Sequence, residues 1–206
     1  MWALVEDGSI TKYFSGNKGV TIGDIQYSKN IFSFRWTNEE REAIGLYEVE
    51  FDNTNKKDEQ WYINTNQSFA FAGGKVTASY GSATPKPHAD VLFTAQDESD
   101  GRGTEGELDA RGLKYNLIRS VKKQAANILA ETDWYVVRKA DAGTAIPSAI
   151  TNHRAAVRTK AAEQETAITN AADTPALETL HTYTTQEDGS VTRPLGELPT
   201  LEVYCL

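Results

Sequence analysis

The sequence contains a single cysteine, Cys205, and very little histidine. One cysteine excludes an intramolecular disulfide and a zinc site built on cysteine ligands. The three histidines lie in separate segments, at His88, His153 and His181. No Gly-x-Ser-x-Gly, His-Glu-x-x-His or phosphate-binding glycine loop is present. We therefore expect a protein that is not an enzyme and that needs no metal or cofactor.

Long apolar runs are also absent. No run approaches the roughly 18 residues that a membrane span requires. Residues 1–7 lack the basic leader and apolar core of a secretory signal. These features predict a soluble protein that is synthesised in the cytoplasm, without Sec export and without a membrane as partner.

Acidic residues outnumber basic residues, with 29 Asp and Glu against 21 Lys and Arg. The formal net charge is −8 at pH 7, which argues against general nucleic-acid binding, because that requires a basic field around phosphates. The charge is uneven, since residues 111–180 hold ten Lys and Arg against seven Asp and Glu. Two interpretations remain open: solvated helix faces, or a polar surface that docks a partner.

Residues 1–81 have the pattern of a β-rich N-terminal domain, and 206 residues with 39% hydrophobic content suffice for one or two domains with a core. Asp7-Gly8 lies between apolar runs and predicts one hairpin, and Gly73-Gly74 predicts another. Thr37 and Glu40 have the spacing of a capping box. They predict a short helix that ends near Gly45 and is followed by a strand over 46–51.

Large aromatic side chains are concentrated in the same region, at Trp2, Trp36 and Trp61. Large rings let a small domain bury much area, so core packing is the expected role. An exposed aromatic patch that contacts a partner is the alternative.

Residues 82–106 have the composition of a polar connector. Thr84-Pro85-Lys86-Pro87 is extended and stiff, and residues 96–106 are acidic and rich in glycine. The brief apolar segment 89–95 is expected to dock as one strand.

Residues 107–181 change to helical periodicity and predict a helical domain. A first helix has an apolar stripe and stops near Glu131; its stripe is Leu113, Leu117, Val121, Ala125 and Ile128. Pro147 begins a second long helix; its apolar seam is Ile150, Val157, Ala161, Gln164 and Ile168. Thr174-Pro175 begins a short third helix, and the tail 182–206 is expected to be extended. The predicted class is α+β: a small β-rich N-terminal domain with a short helix, a polar connector, and a C-terminal helical hairpin or bundle.

An aromatic, arginine-rich corner joins the two long helices. The segment 133–138 either resumes as helix or packs as a hydrophobic turn. Arg154 and Arg158 are four residues apart and share a helical face, while Asp133 or Asp141 supplies an opposing carboxylate. Trp134 offers a flat face on which an arginine can stack.

Two roles remain open for the four candidate site residues, Trp134, Arg138, Arg154 and Arg158. They either hold the helix pair together or face a partner, since Trp and Arg dominate interface hot spots. We predict a division of labour in which Trp134 is structural and Arg158 is at least partly exposed and available for contact.

The order of these pieces resembles a known family. Residues 114–180, with Asp133-Trp134, Arg138, Gly143, Ile146-Pro147, Arg154 and Arg158, resemble the C-terminal helical, tail-assembly-chaperone-like domain of tailed-phage tail-fibre accessory and assembly proteins. Gly45-Leu46-Tyr47-Glu48-Val49 after a short helix resembles the small N-terminal domain of the same family. The resemblance covers about residues 1–80 and 111–200.

The resemblance implies a non-enzymatic structural adaptor of a bacteriophage tail or baseplate, which attaches or assembles tail fibres through protein–protein contacts. It implies a virion protein, made in the host cytoplasm, that forms a homo-oligomer in the particle and binds fibre or baseplate subunits. One alternative is a transient tail-fibre assembly chaperone that is absent from the mature virion. Another is a receptor- or glycan-binding module that uses exposed aromatic side chains, namely Tyr13, Tyr62, Tyr80 and Trp61.

Overall fold

A computed structural model describes residues 1–201 and divides the chain into two compact units, Met1–Thr84 and Pro85–Leu206. The N-terminal unit is rich in strands and the C-terminal unit is mainly helical, so the predicted α+β class is confirmed. Within the described residues, no helix is both long and apolar enough to cross a membrane.

The N-terminal unit is built around a five-stranded sheet in the order β2-β1-β5-β8-β7. Its elements are β1 (Trp2–Glu6), β2 (Ser9–Phe14), β3 (Val20–Ile22), β4 (Ile25–Tyr27), a 3₁₀ turn (Lys29–Phe32), α1 (Asn38–Glu42), β5 (Leu46–Asp52), β6 (Tyr62–Ile63), β7 (Ser68–Ala72), β8 (Lys75–Ser79) and the start of β9 (Thr84–Pro85). Strands β5 and β8 are parallel, and the other neighbours in the sheet are antiparallel.

Both predicted hairpins are confirmed. Asp7 and Gly8 have φ of 51° and 75°, and Gly73 and Gly74 have φ of 59° and 76°. Two successive positive φ values suit the tight turns whose twist matches that of the flanking strands. The capping box is also confirmed, because Thr37 Oγ1 accepts from the Glu40 amide and Glu40 accepts from the Thr37 amide.

The two faces of the sheet carry separate apolar clusters. One cluster combines small residues with partly buried aromatic rings; its buried members are Ala3, Val5, Val49, Val76 and Ala78. The other cluster combines residues of the sheet with residues of the segment that follows β2; its buried members are Trp2, Val20, Ile31 and Leu46. Alternation along β1 sends successive side chains to opposite faces, which lets one short strand serve both clusters.

The tryptophans of this unit are mainly core residues. Trp2 is 8% exposed and Trp61 is 4% exposed, while Trp36 is half-buried. Tyr62 is also only 4% exposed. The expectation that Trp61 and Tyr62 are available for a glycan is therefore wrong, because both rings are used to bury area in a small unit.

The C-terminal unit holds the predicted helices. Its elements are the end of β9, β10 (Val91–Leu92), α2 (Ala95–Ser99), β11 (Leu108–Ala110), α3 (Leu113–Ala130), α4 (Asp133–Ala142), α5 (Ser148–Asn170), α6 (Thr174–His181), β12 (Thr184–Thr185) and β13 (Val191–Thr192). Helices α3 and α5 pack together, and every predicted seam residue of α5 is buried. Segment 133–138 resumes as helix rather than as a turn.

Residues 85–106 differ from the expected loose connector. They belong to the second unit, where β10 pairs with β11. Thr94 and Asp97 form a capping box on α2, and Thr174 Oγ1 donates to the carbonyl oxygen of Lys86 at 2.6 Å. Local side-chain hydrogen bonds thus order a segment whose composition alone indicates a linker.

The tail also packs more than its composition indicates. Strands β12 and β13 form a hairpin, Leu195 is 4% exposed, and Gln164 Nε2 donates to the carbonyl oxygen of Gly196 at 2.9 Å. The buried amide of Gln164 gains a partner that only the tail provides. Cys205 lies outside the described residues.

Candidate protein-interaction surface

The junction between α3 and α4 is built on Thr132. Its side chain is 1% exposed, and its hydroxyl donates to the carbonyl oxygen of Leu129 at 3.1 Å. Leu129 lies in the last turn of α3, where backbone carbonyls have lost their intrahelical partners. Thr132 therefore helps to close α3 one residue before α4 begins.

Arg154 joins the same junction from α5. Its Nη1 donates to Thr132 Oγ1 and to the Leu129 carbonyl oxygen, both at 2.7 Å, and its Nη2 lies 2.8 Å from Asp133 Oδ1. The guanidinium thus meets a helix C-terminus and a carboxylate in the first turn of α4, two places where the helix dipole favours those charges. Arg154 is 8% exposed.

The expectation that Arg154 faces a partner is therefore wrong in its geometry. Arg154 falls on the stripe of α5 that contains Ile150, Val157 and Ala161, which is the buried seam of the helix. Asp133, and not Asp141, supplies the opposing carboxylate. Arg158 lies four residues after Arg154 on α5 and is exposed, as predicted.

Trp134 is 51% exposed, which contradicts the prediction that it is a structural core residue. Its ring stacks on Tyr135, with centroids 3.9 Å apart. The predicted stacking of an arginine on Trp134 is confirmed with Arg138, whose guanidinium carbon lies 4.9 Å from the ring centroid. These contacts are local to one turn of α4, so they fix the ring without burying it.

Helix α4 as a whole contains no buried residue. Val137 is 65% exposed and Val136 is 41% exposed. Trp134, Val137 and Arg138 occupy positions i, i+3 and i+4, which share one helical face. We call these three residues the α4 surface. It combines an aromatic ring, a branched aliphatic side chain and a guanidinium, all on exposed residues.

The end of α4 is as well defined as its start. Gly143 has φ of 68° and its amide donates to the carbonyl oxygen of Lys139 at 3.0 Å. A residue in this left-handed conformation is a common way to terminate a helix, and glycine adopts it without strain. The α4 surface is therefore presented on a short helix fixed at both ends.

Within residues 1–201, no group of three or more His, Cys, Asp or Glu side chains could hold a metal ion. His88 lies before β10, His153 is fully buried in α5, and His181 ends α6. Burial lowers the pKa of His181, whose Nδ1 lies 2.8 Å from the carbonyl oxygen of Leu177.

Sequence reasoning missed two features of the site. Thr132 received no role, although a threonine directly before an acidic first turn is a common helix-start signal. Val137 received no role, because an apolar residue in a mixed apolar segment is ordinarily assigned to the core. Its exposure depends on the angle at which α4 leaves α3, and no local pattern encodes that angle.

Comparison of the chain with protein-family models, with curated proteins and with solved structures found no significant match.

Proposed function

We propose that this protein is a non-enzymatic structural adaptor of a tailed-phage tail or baseplate, which attaches or assembles tail fibres through protein–protein contacts. The order of sequence motifs along residues 1–80 and 111–200 supports the proposal of a phage protein. The observation that carries the contact mechanism is α4, a helix with no buried residue that exposes Trp134, Val137 and Arg138 on one face.

Helix α4 exposes apolar surface that a partner can cover. Isolated helices shorter than about 12–15 residues are marginal in water, so α4, with 10 residues, depends on its anchors. Trp134 and Val137 are 51% and 65% exposed, so much of their apolar surface remains in contact with water. Burying them against a partner recovers about 25 cal/mol for each Å² of apolar surface removed from water.

Arg138 adds specificity to this surface. Because it stacks on Trp134, its side chain is held close to one position before binding, and less conformational entropy is lost on association. Trp and Arg are also the residue types that most often dominate interface energies. The fitting partner is a fibre or baseplate subunit with an apolar groove bordered by a carboxylate.

Arg154 has a different role in this proposal. It positions α4 by joining Thr132, Leu129 and Asp133, and it does not touch the partner. Removing Arg154 should weaken binding only by loosening α4, whereas removing Val137 should weaken binding with α4 intact.

Binding of purified fibre and baseplate subunits to the full chain tests the proposal. Val137→Asp should raise the dissociation constant for one of these subunits by about tenfold or more, because it places a charge in an apolar contact. Lys123→Asp, which places the same side chain at an exposed position on α3, is the control and should leave binding unchanged. Equal affinities of the wild-type and Val137→Asp proteins for every subunit would refute the α4 contact.

Mass spectrometry of purified particles separates an adaptor from a transient chaperone. The adaptor proposal predicts that the chain is present at a fixed ratio to the fibre subunit. Absence from mature particles, together with binding to fibre subunits before assembly, would replace the adaptor by the chaperone.

A further inference from the structure

The N-terminal unit carries a second exposed feature, which is independent of α4. Phe34 is 96% exposed, more than any other large hydrophobic side chain among the described residues. It lies between the 3₁₀ turn and α1, and Arg35 beside it is also exposed. Within residues 1–201, Arg35 forms no ion pair. We call Phe34 and Arg35 the tip.

The tip is held by hydrogen bonds on both sides. Ser33 Oγ donates to the Asn30 carbonyl oxygen at 2.7 Å and accepts from the Arg35 amide at 3.3 Å. The Trp36 amide closes the turn on the Ser33 carbonyl oxygen at 3.2 Å. A projecting ring on an ordered turn loses little backbone entropy when it binds.

Arg41 fixes the base of this turn. It is 6% exposed, it donates through Nε to the carbonyl oxygen of Ile31 at 2.7 Å, and it also donates to the carbonyl oxygen of Ser33. Its guanidinium carbon lies 4.7 Å from the Trp2 ring centroid. The tip is therefore supported by a buried cation that already has its own partners.

The same unit contains an open cleft of about 600 Å³ between α1, β5 and the β7–β8 turn. Trp2, Leu46 and Tyr47 contribute apolar atoms to its wall. Gly73 and Gly74 form part of its border, and a Cβ built on either would meet no atom within 4 Å. Backbone without side chains leaves this border open to an incoming ring.

The charges of the cleft complement the tip. Glu42 and Glu48 line the cleft and form no ion pair within the described residues, whereas Glu50 is paired with Lys75 at 2.9 Å. Arg41 also lines the cleft, so three carboxylates and two cations border the wall and its net charge is negative, whereas the tip presents one arginine without a carboxylate. Opposite charges across a contact set its orientation and exclude other arrangements.

We propose that the tip of one copy enters the cleft of a second copy, with the Phe34 ring against the cleft wall and Arg35 paired with Glu42 and Glu48. The occupant is a second copy of this chain, because the tip and the cleft occur on the same unit and carry opposite net charge. Since the tip is not part of the cleft that it would fill, the contact joins two different patches and generates a reciprocal pair, a closed ring or an open chain of copies.

Sedimentation velocity of the full chain over a range of concentrations tests the contact. The wild-type chain should self-associate, and Phe34→Ser should raise the dissociation constant at least about tenfold with an unchanged melting temperature. Ile25→Ser is the matched control, because Ile25 is 59% exposed in the same unit; it should leave association unchanged. A monomeric wild-type chain, or association that Phe34→Ser does not weaken, would overturn the proposal.

Charge reversal tests the pairing. Arg35→Glu alone and Glu42→Lys with Glu48→Lys should each weaken association, and the three changes combined should restore it. Mixing an Arg35→Cys chain with a Glu48→Cys chain, both with Cys205→Ser, provides a second measurement and should give an intermolecular disulfide only in the mixture. Failure of the combined variant to recover, with no mixed disulfide, would refute the assignment of the cleft. The α4 contact has its own binding test. Neither outcome of the self-association experiments therefore decides the proposed function.

Discussion

Arg154 uses one guanidinium to satisfy a carbonyl oxygen, a hydroxyl and a carboxylate at the meeting point of three helices. Arg154→Met keeps much of the side-chain volume but leaves the Leu129 carbonyl and the Thr132 hydroxyl without this donor. The hydroxyl and the carbonyl still bond to each other, so we expect the free energy of unfolding to fall by about 1.5–3 kcal/mol, the usual contribution of hydrogen bonds to a charged group. Urea denaturation measures it. Arg158→Met, at an exposed position, should change stability by no more than about 0.5 kcal/mol.

For Trp134, unlike Arg154, we expect a small effect on stability and a clear effect on partner binding. Because its side chain is 51% exposed, Trp134→Ala should cost well below the roughly 3–5 kcal/mol of a buried tryptophan. The same change should weaken partner binding, because the ring is part of the α4 surface. Thermal denaturation and binding of the single mutant separate the two effects. A loss of stability as large as that of a core residue would show that Trp134 is a structural residue after all.

Sequence patterns predict many of the helices and hairpins. The 3.6-residue periodicity of 113–130 and 148–170 specifies α3 and α5, and Asp7-Gly8 and Gly73-Gly74 specify two hairpins. Position-specific rules succeed there because each is satisfied by contacts within one element. The α4 surface escapes them, since 134–137 is apolar or aromatic at four consecutive positions and has no helical periodicity. Residues 85–106 escape them as well, because contacts such as Thr174 to Lys86 join residues far apart in the sequence.

Helix α4 should be less protected against hydrogen exchange than α3 and α5. It has no buried residue, while α3 and α5 contain buried seams. Local opening costs less where few apolar contacts are lost. Hydrogen exchange should therefore be faster at the amides of α4 than at those of α3 and α5, and partner binding should slow it. Equal protection of all three helices would contradict this view of α4.

Helix α6 supplies a pH dependence. Burial lowers the pKa of His181 below its ordinary value of about 6.5 in an unfolded chain, with a smaller opposing effect from its bond to Leu177. The unfolded chain therefore binds a proton before the folded chain does, so this contribution to stability is present above about pH 6.5 and is lost as the pH falls through the folded pKa. Melting temperatures from pH 7.5 to 5 should decline less for His181→Asn than for the wild-type protein.

At the scale of the whole molecule, the two units have separate cores. Leu46 is fully buried in the first unit and Val157 in the second. Two independent cores predict two unfolding transitions. Leu46→Ala should lower only one transition, by about 2–5 kcal/mol, and Val157→Ala should lower only the other. Calorimetry of both variants provides the measurement, and a single transition shifted by either change would show that the units unfold together.

We propose that α4 contacts a fibre or baseplate subunit in the assembled tail. A photo-reactive phenylalanine analogue at position 137, incorporated during particle assembly, tests it most directly. Val137 is 65% exposed, so the analogue fits without disturbing the core. We expect a cross-link from position 137 to a fibre or baseplate subunit and none from position 123 on α3. Particles that contain the chain but give no cross-link from position 137 would contradict it.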